Sequence, residues 1–163
     1  MWRRVLVTGA VPAVLLLAGC TATGMGWIPS NDGVDKATFG FTFDDTTSTL
    51  SGSYHDPQGM TAAHGVVDVA FKGTGVIQPC KVSDAACGHA PANIKGACAE
   101  GDPSYESQNP KLPGSGTLHL QVCDVDGNGA ANPGDFISIT VSTGPYTGYH
   151  NQGDPQGNIT VRP

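Results

Sequence analysis

The chain has 163 residues, 14 acidic and 8 basic side chains, and a formal net charge of −6 at neutral pH. That length suits one domain, and that balance argues against nucleic acid or an anionic lipid surface as partner. Twelve of the acids are Asp, with only Glu100 and Glu106 beside them, and Gly (23) and Pro (12) are abundant, so turns are favoured over helices.

Met1-Trp2-Arg3-Arg4 places two positive charges before the apolar run Val5 to Ala18, which is 14 residues long. A membrane-spanning helix needs about 20 apolar residues, whereas the core of a secretory signal is this short. The run ends Leu16-Leu17-Ala18-Gly19-Cys20. This ending resembles the lipobox of bacterial lipoproteins, in which the Cys thiol receives a diacylglyceryl group and becomes the first residue of the mature protein. The resemblance implies cleavage after Gly19, a lipid on Cys20 and a place on the extracytoplasmic face of the cell membrane. The other reading is an ordinary cleavable signal with Cys20 a disulfide partner. Removing residues 1–19 takes away two arginines and no acid, so the remaining chain is still more acidic.

Thr21 to Asp35 is small, polar and turn-rich, and residues 20–35 are expected as a flexible tether, with Trp27, Ile28 and Pro29 tucked onto the start of the domain. The domain itself is expected over 36–163. Ala37 to Phe43 alternates, putting Phe39, Phe41 and Phe43 on one face, as in a half-buried strand. Asp44 to Thr47 reads as a turn, and Thr49 to Tyr54 alternates again, completing a hairpin. Val66 to Phe71 is a third strand, which Gly75 to Gln78 either continues or follows. Residues 79–116 hold three cysteines, five prolines and little apolar surface. They are expected as a long loop insertion that disulfides must pin, because it buries too little to order itself. Thr117 to Cys123 and Phe136 to Val141 are strands, and Tyr146 to His150 and Asn158 to Arg162 close the chain. Six to eight short strands separated by turns predict an all-β fold, a small antiparallel sandwich or barrel.

Besides Cys20 there are four cysteines, Cys80, Cys87, Cys98 and Cys123. An even number in an exported domain reads as two disulfides, with three pairings open. A metal site is disfavoured, since there is no C-x-x-C and no paired His nearby. Ala37-Thr38-Phe39-Gly40-Phe41, Phe71-Lys72-Gly73-Thr74-Gly75, Asn132-Pro133-Gly134-Asp135-Phe136-Ile137-Ser138-Ile139 and Gly157-Asn158-Ile159-Thr160-Val161 together resemble a β-rich module of secreted actinobacterial proteins. The resemblance spans most of residues 36–162. It implies an all-β fold and export, and no activity.

The sharpest local pattern runs from Asp124 to Asp135. Read as a twelve-residue calcium loop, it places Asp124, Asp126, Asn128 and Asn132 at positions one, three, five and nine. Gly129 falls where the loop must turn, the carbonyl of Ala130 serves position seven, and Asp135 closes position twelve. Calcium takes six to eight oxygens, which such a curled loop can supply. Against it, position twelve is Asp rather than the longer Glu, and both flanks read as strands. A long hairpin turn requires the same residue types.

The histidines, His55, His64, His89, His119 and His150, form no i, i+4 pair with a Glu between. His55-Asp56 and His64 flank one loop and could meet at a metal, though isolated surface histidines are commoner. There is no G-x-S-x-G, Walker loop or dinucleotide fingerprint. Trp27, Tyr54, Tyr105, Tyr146 and Tyr149 could form a sugar or peptide platform, or cap the ends of a small β core. These features favour a non-enzymatic envelope lipoprotein that binds a glycan, a lipid or a protein, or has a structural role. The alternative is a hydrolase of envelope polymers that uses Asp and His residues.

Overall fold

The alternating phenylalanines of residues 37–43 do form a strand, and among the described residues nine more strands join it. The computed structural model describes residues 21–44, 46–60, 65–79, 96–125 and 135–162. Among them there is no helix. The strands are β1 (Thr21–Pro29), β2 (Lys36–Asp44), β3 (Thr49–Asp56), β4 (Val67–Pro79), β5 (Ala97–Gly101), β6 (Ser104–Ser107), β7 (Ser115–Asp124), β8 (Phe136–Val141), β9 (His150–Gly153) and β10 (Gln156–Arg162). All pair antiparallel in the order β10-β1-β2-β3-β4-β5-β7-β8-β9, with β6 also between β4 and β7.

β5 and β6 are two parts of one path. β4 sets Gly75 against Gly101 and Lys72 against Ser104, the same register on both sides of Asp102 and Pro103. β7 likewise sets Leu120 against Gly101 and Thr117 against Ser104. Leu118 N–H donates to the Pro103 carbonyl at 3.1 Å, carrying the ladder through on that side. On the other side Pro103 has no N–H to offer, so the pairing with β4 lapses there. The hydrogen-bonded circuit β4-β5-β7-β6 thus closes on itself around the interruption. Gly73 faces it, and a Cβ at Gly73 would come within 2.5 Å of Pro103 Cα.

Inward positions follow the period of two. Phe39, Phe41 and Phe43 of β2, Leu50 and Tyr54 of β3, Val67, Val69 and Phe71 of β4 are buried. So are Leu118, Leu120 and Val122 of β7, Ile137, Ile139 and Val141 of β8, and Ile159 and Val161 of β10, all in one core. The sheet curls until its two edges are linked by side chains. Asn151 of β9 donates from Nδ2 to the Pro29 carbonyl of β1 at 3.0 Å. Val161 N–H of β10 donates to Asp124 Oδ2 of β7 at 3.1 Å. An edge held by side chains is shielded from pairing with another chain.

Three expectations need correction. Residues 21–29, read as part of a tether over 20–35, form β1, paired on both sides with β2 and β10. Their inward positions include Gly24 and Gly26, so no apolar alternation marks the strand. The neighbouring strand supplies the bulk, since the Phe41 ring occupies the space a Gly24 side chain would need, with Cε1 2.3 Å from the Cβ position. Residues 79–116, read as one long loop, contain β5, whose inward residues Ala97, Ala99 and Gly101 are too small to register as a strand pattern, and β6, four residues long with Tyr105 alone pointing inward. Residues 146–149 form a turn before β9 rather than a strand. Among the described residues the strands number ten, against the six to eight expected.

Candidate functional site

Four surfaces of the sheet carry chemistry. At the end away from Thr21, alternation in β3 continues inward past Tyr54 to Asp56, which is fully buried. Asp56 Oδ1 accepts from the Ser30 hydroxyl and from Gln58 N–H (3.1 Å), and Oδ2 accepts from the Tyr149 hydroxyl at 2.7 Å. Tyr149 OH in turn lies 2.5 Å from Tyr54 OH, which accepts from Asn151 Nδ2 at 2.9 Å. Each hydroxyl therefore donates once and accepts once. Burial pushes both tyrosine hydroxyls well above their ordinary value, and for Tyr149 the neighbouring Tyr54 and Asp56 add to it. A second pair, Tyr105 and Tyr146, pins the same turn. Tyr105 OH donates to the Thr143 carbonyl at 2.9 Å, and Tyr146 OH lies 2.7 Å from Ser107 Oγ. Burial raises the Tyr105 hydroxyl as well. Among the described residues no buried side-chain polar atom lacks a partner. This closed and satisfied network fastens β3, β9 and the 30–35 and 142–149 turns; it offers no open group for chemistry. The tyrosines thus cap the core, and the platform reading fails for them.

The second surface is the outward face of β10, β1, β2 and β3. Across it Thr160, Thr23, Thr42 and Ser51 share one row, Asn158, Met25, Gly40 and Ser53 the next, and Gln156, Trp27, Thr38 and His55 a third. Met25 is 70% exposed. Gly40 beside it has no side chain, and a shallow groove of about 220 Å³ runs between Met25, Thr23, Thr42 and Asn158. Trp27 is half-buried, with the Lys36 ammonium 4.1 Å from its ring centre. Among the described residues charge stands at the borders, with Lys36 at one end, Asp44 and Arg162 at the other, and Asp68 and Lys72 of β4 beside His55 and Ser51 along the side.

The third is a groove of about 370 Å³ where β4, β5 and β7 pass the β2–β3 turn, lined by Ser48, Thr74, Val76, Glu100, Asp102 and His119. His119 Nδ1 lies 2.9 Å from Asp102 Oδ1, and the Asp102 side chain is 80% exposed. His55 Nδ1 stands 3.5 Å from Asp68, and His150 Nδ1 2.8 Å from Thr140 Oγ1, so the described histidines are spread over the surface. Ser48 has a positive φ of 49°, as the last residue of a tight hairpin turn requires.

The fourth is the end at which β4, β5 and β7 run on past β3. Cys98 and Cys123 face one another in register and are joined, with Cα atoms 4.1 Å apart. They lie with Phe136 on the side of the sheet opposite the main core, yet all three are buried. Asp124 and Asp135, the ends of the candidate calcium loop, are both fully buried, and Asp135 Oδ1 accepts from Val125 N–H at 3.0 Å. Asp126, Asn128, Ala130 and Asn132 lie outside the described residues, as do Gly19, Cys20, His64, Cys80, Cys87 and His89. Among the described residues no three His, Cys, Asp or Glu side chains are placed to hold a metal.

Compared with family models, curated proteins and solved structures, the chain matches none. The alternation Leu50, Gly52, Tyr54 points inward to Asp56, but no sequence pattern marks Ser30, Tyr149 and Asn151 as members of its network. The outward face of β1 is not legible in the sequence, because Gly24 and Gly26 leave the strand without an apolar alternation.

Proposed function

We propose that the chain is a lipid-anchored envelope protein whose β-domain binds a neutral, hydroxyl-rich ligand, an envelope glycan, and does not turn it over. The lipobox-like Leu16-Leu17-Ala18-Gly19-Cys20 supports the anchor and the extracytoplasmic place. The observation that carries the binding reading is the charge-poor outward face of β10, β1, β2 and β3. Within a chain of 13% charged residues, its centre presents hydroxyls and amides around Met25 and Trp27. Hydroxyls and amides both donate and accept, as a sugar does, and an amphipathic ring can lie on the apolar face of a pyranose. Tryptophan and methionine are enriched at recognition surfaces generally.

Trp27 is the only tryptophan left once residues 1–19 are removed, so its emission reports directly on this face. Titration with isolated envelope polysaccharide should shift that emission, and Trp27→Ala should weaken binding at least tenfold by calorimetry. Absence of binding to every envelope glycan fraction overturns the reading.

A hydrolase remains the second reading, favoured by one observation, the His119–Asp102 contact beside Ser48 in one groove. Against it, Asp102 is so exposed that solvent screens the pair. Turnover of an envelope polymer that His119→Ala abolishes would establish this reading in place of the first.

A further inference from the structure

Glycine in the middle of a strand weakens it, because it loses the most backbone freedom on folding and brings no side chain to pack. It is kept where a left-handed backbone, a bulge or a close neighbour demands it. Other strand glycines of this sheet meet such a demand. A Cβ at Gly24 would come within 2.3 Å of the Phe41 ring, and one at Gly52 within 2.2 Å of the Gly40 carbonyl oxygen. Gly40 meets none of the three. Its φ is not positive. The registers of β2 with β1 and with β3 run unbroken through it, so there is no bulge. Among the described residues a Cβ there would touch one atom, the Gly24 carbonyl oxygen, at an ordinary 4.0 Å. Gly40 thus stands mid-strand on the outward face, at a position where the fold has room for a side chain.

Its surroundings point to a ligand. Met25 lies directly across on β1 and is 70% exposed. Ser53 lies across on β3, and Thr38 and Thr42 lie two residues away on β2, all three of them exposed. Trp27 is the diagonal neighbour on β1, a separation of about 7–8 Å in an antiparallel pair. Met25 and Thr42 are walls of the groove of about 220 Å³ on this face, so that groove borders Gly40. It is smaller than the roughly 300–1,000 Å³ of a site that encloses a whole small molecule, and suits one ring of a longer chain.

We infer that Gly40 is a specificity-determining position of the glycan face, its bare Cα forming a seat on which one pyranose ring lies with its C–H face against β2. This inference rests on the glycan reading and deepens it by naming where a ring sits and which ring fits. β2 lies between β1 and β3, so its backbone N–H and C=O groups are taken up by the two ladders. The floor of the seat is therefore apolar, with the Met25 thioether beside it. Hydroxyls of Thr38, Thr42 and Ser53 stand around that floor. A ring with C–H groups on its face and hydroxyls at its edge matches the pattern. A charged sugar does not, because the charged residues stand at the borders of the face. The ligand class is a neutral, unbranched stretch of pyranose rings, with the ring next to the seated one reaching Trp27.

The test substitutes Gly40 in the full chain. Gly40→Thr keeps the hydroxyl chemistry of the face and adds bulk where the ring would sit. Its urea midpoint should equal or exceed that of the unaltered protein, since the space is open and threonine suits a strand. Its affinity for the neutral fraction of isolated envelope polysaccharide, measured by calorimetry, should fall at least tenfold, with Gly40→Ala between the two. The acidic fraction should bind the unaltered protein at least tenfold more weakly than the neutral one, and equal binding would overturn the class of ring named. A lowered urea midpoint for Gly40→Ala would overturn the inference, because the glycine would then serve the fold. Unchanged affinity in a stably folded Gly40→Thr protein would also overturn it, while leaving the glycan reading standing. If the unaltered protein binds no neutral fraction, the glycan reading falls and this inference with it.

Discussion

The two ends of the sheet are fastened by different physics. The end away from Thr21 is held by a closed chain of hydrogen bonds, from Ser30 through Asp56, Tyr149 and Tyr54 to Asn151. The end near the β4–β5 extension is held by a covalent bond, Cys98 to Cys123, with Asp124 and Asp135 bonded to backbone N–H groups beside it. A buried hydrogen-bond network stabilises only while every member is present, since each orphaned buried group costs about 1–3 kcal/mol. A disulfide instead acts chiefly on the unfolded chain, by shortening its free loops. The distal end should therefore be sensitive to substitution and pH, and the other end to reductant.

The largest expected effect is at Asp56. Asp56→Ala removes the acceptor of three hydrogen bonds and should cost about 4 kcal/mol, read by urea denaturation. A loss below about 1 kcal/mol would mean that the network contributes no more than a surface contact. Next is the disulfide. Cys98 and Cys123 are 25 residues apart, and chain-entropy arguments put the loss for Cys98→Ser with Cys123→Ser at about 3.5 kcal/mol. If the two ends are independent, these losses should add to within about 0.5 kcal/mol in the combined variant; a larger departure would show that they are coupled. With Cys98 and Cys123 joined, two disulfides in all require Cys80 with Cys87. Peptide mapping of the non-reduced protein should find that pair, and free thiols there would refute it.

A smaller effect separates the ends by pH. The Tyr54 and Tyr149 hydroxyls sit above the ordinary tyrosine value of 10.0 because they are buried. Below about pH 10 they are neutral in both folded and unfolded chains, and their contribution is fully present. Above it the unfolded chain ionises first and binds fewer protons than the folded one, so stability falls as pH rises. Tyr149→Phe should cost about 1.5 kcal/mol at neutral pH and flatten the alkaline fall of Tm, whereas the disulfide variant should leave that slope unchanged. Equal slopes in all three proteins would contradict the assignment. Smallest is Trp27→Ala, which should lower stability by about 1 kcal/mol or less through the lost packing under Lys36, while still weakening glycan binding.

Legibility in the sequence followed side-chain size. β2, β7 and β8 stand out because each carries three large apolar residues at successive inward positions, as Phe39, Phe41 and Phe43 are. β1 and β5 do not, because their inward positions, Ile28 apart, are glycine and alanine, and the volume at Gly24 is filled by the Phe41 ring of the neighbouring strand. Asp56 was legible in principle, lying in phase with Leu50 and Tyr54, but its partners Ser30, Tyr149 and Gln58 are brought together only by the fold.

By itself the sequence determined the all-β class, the core residues of the strong strands, the even number of cysteines besides Cys20 and the short apolar run from Val5 to Ala18. These are local properties, set by period, composition and spacing. Only the tertiary structure decided that Cys98 pairs with Cys123, that the tyrosines close the core, and that residues 21–29 are a strand. The reason is that each of these depends on residues distant in the chain meeting across the sheet. Register decides that meeting, and register follows from how all the strands pack at once.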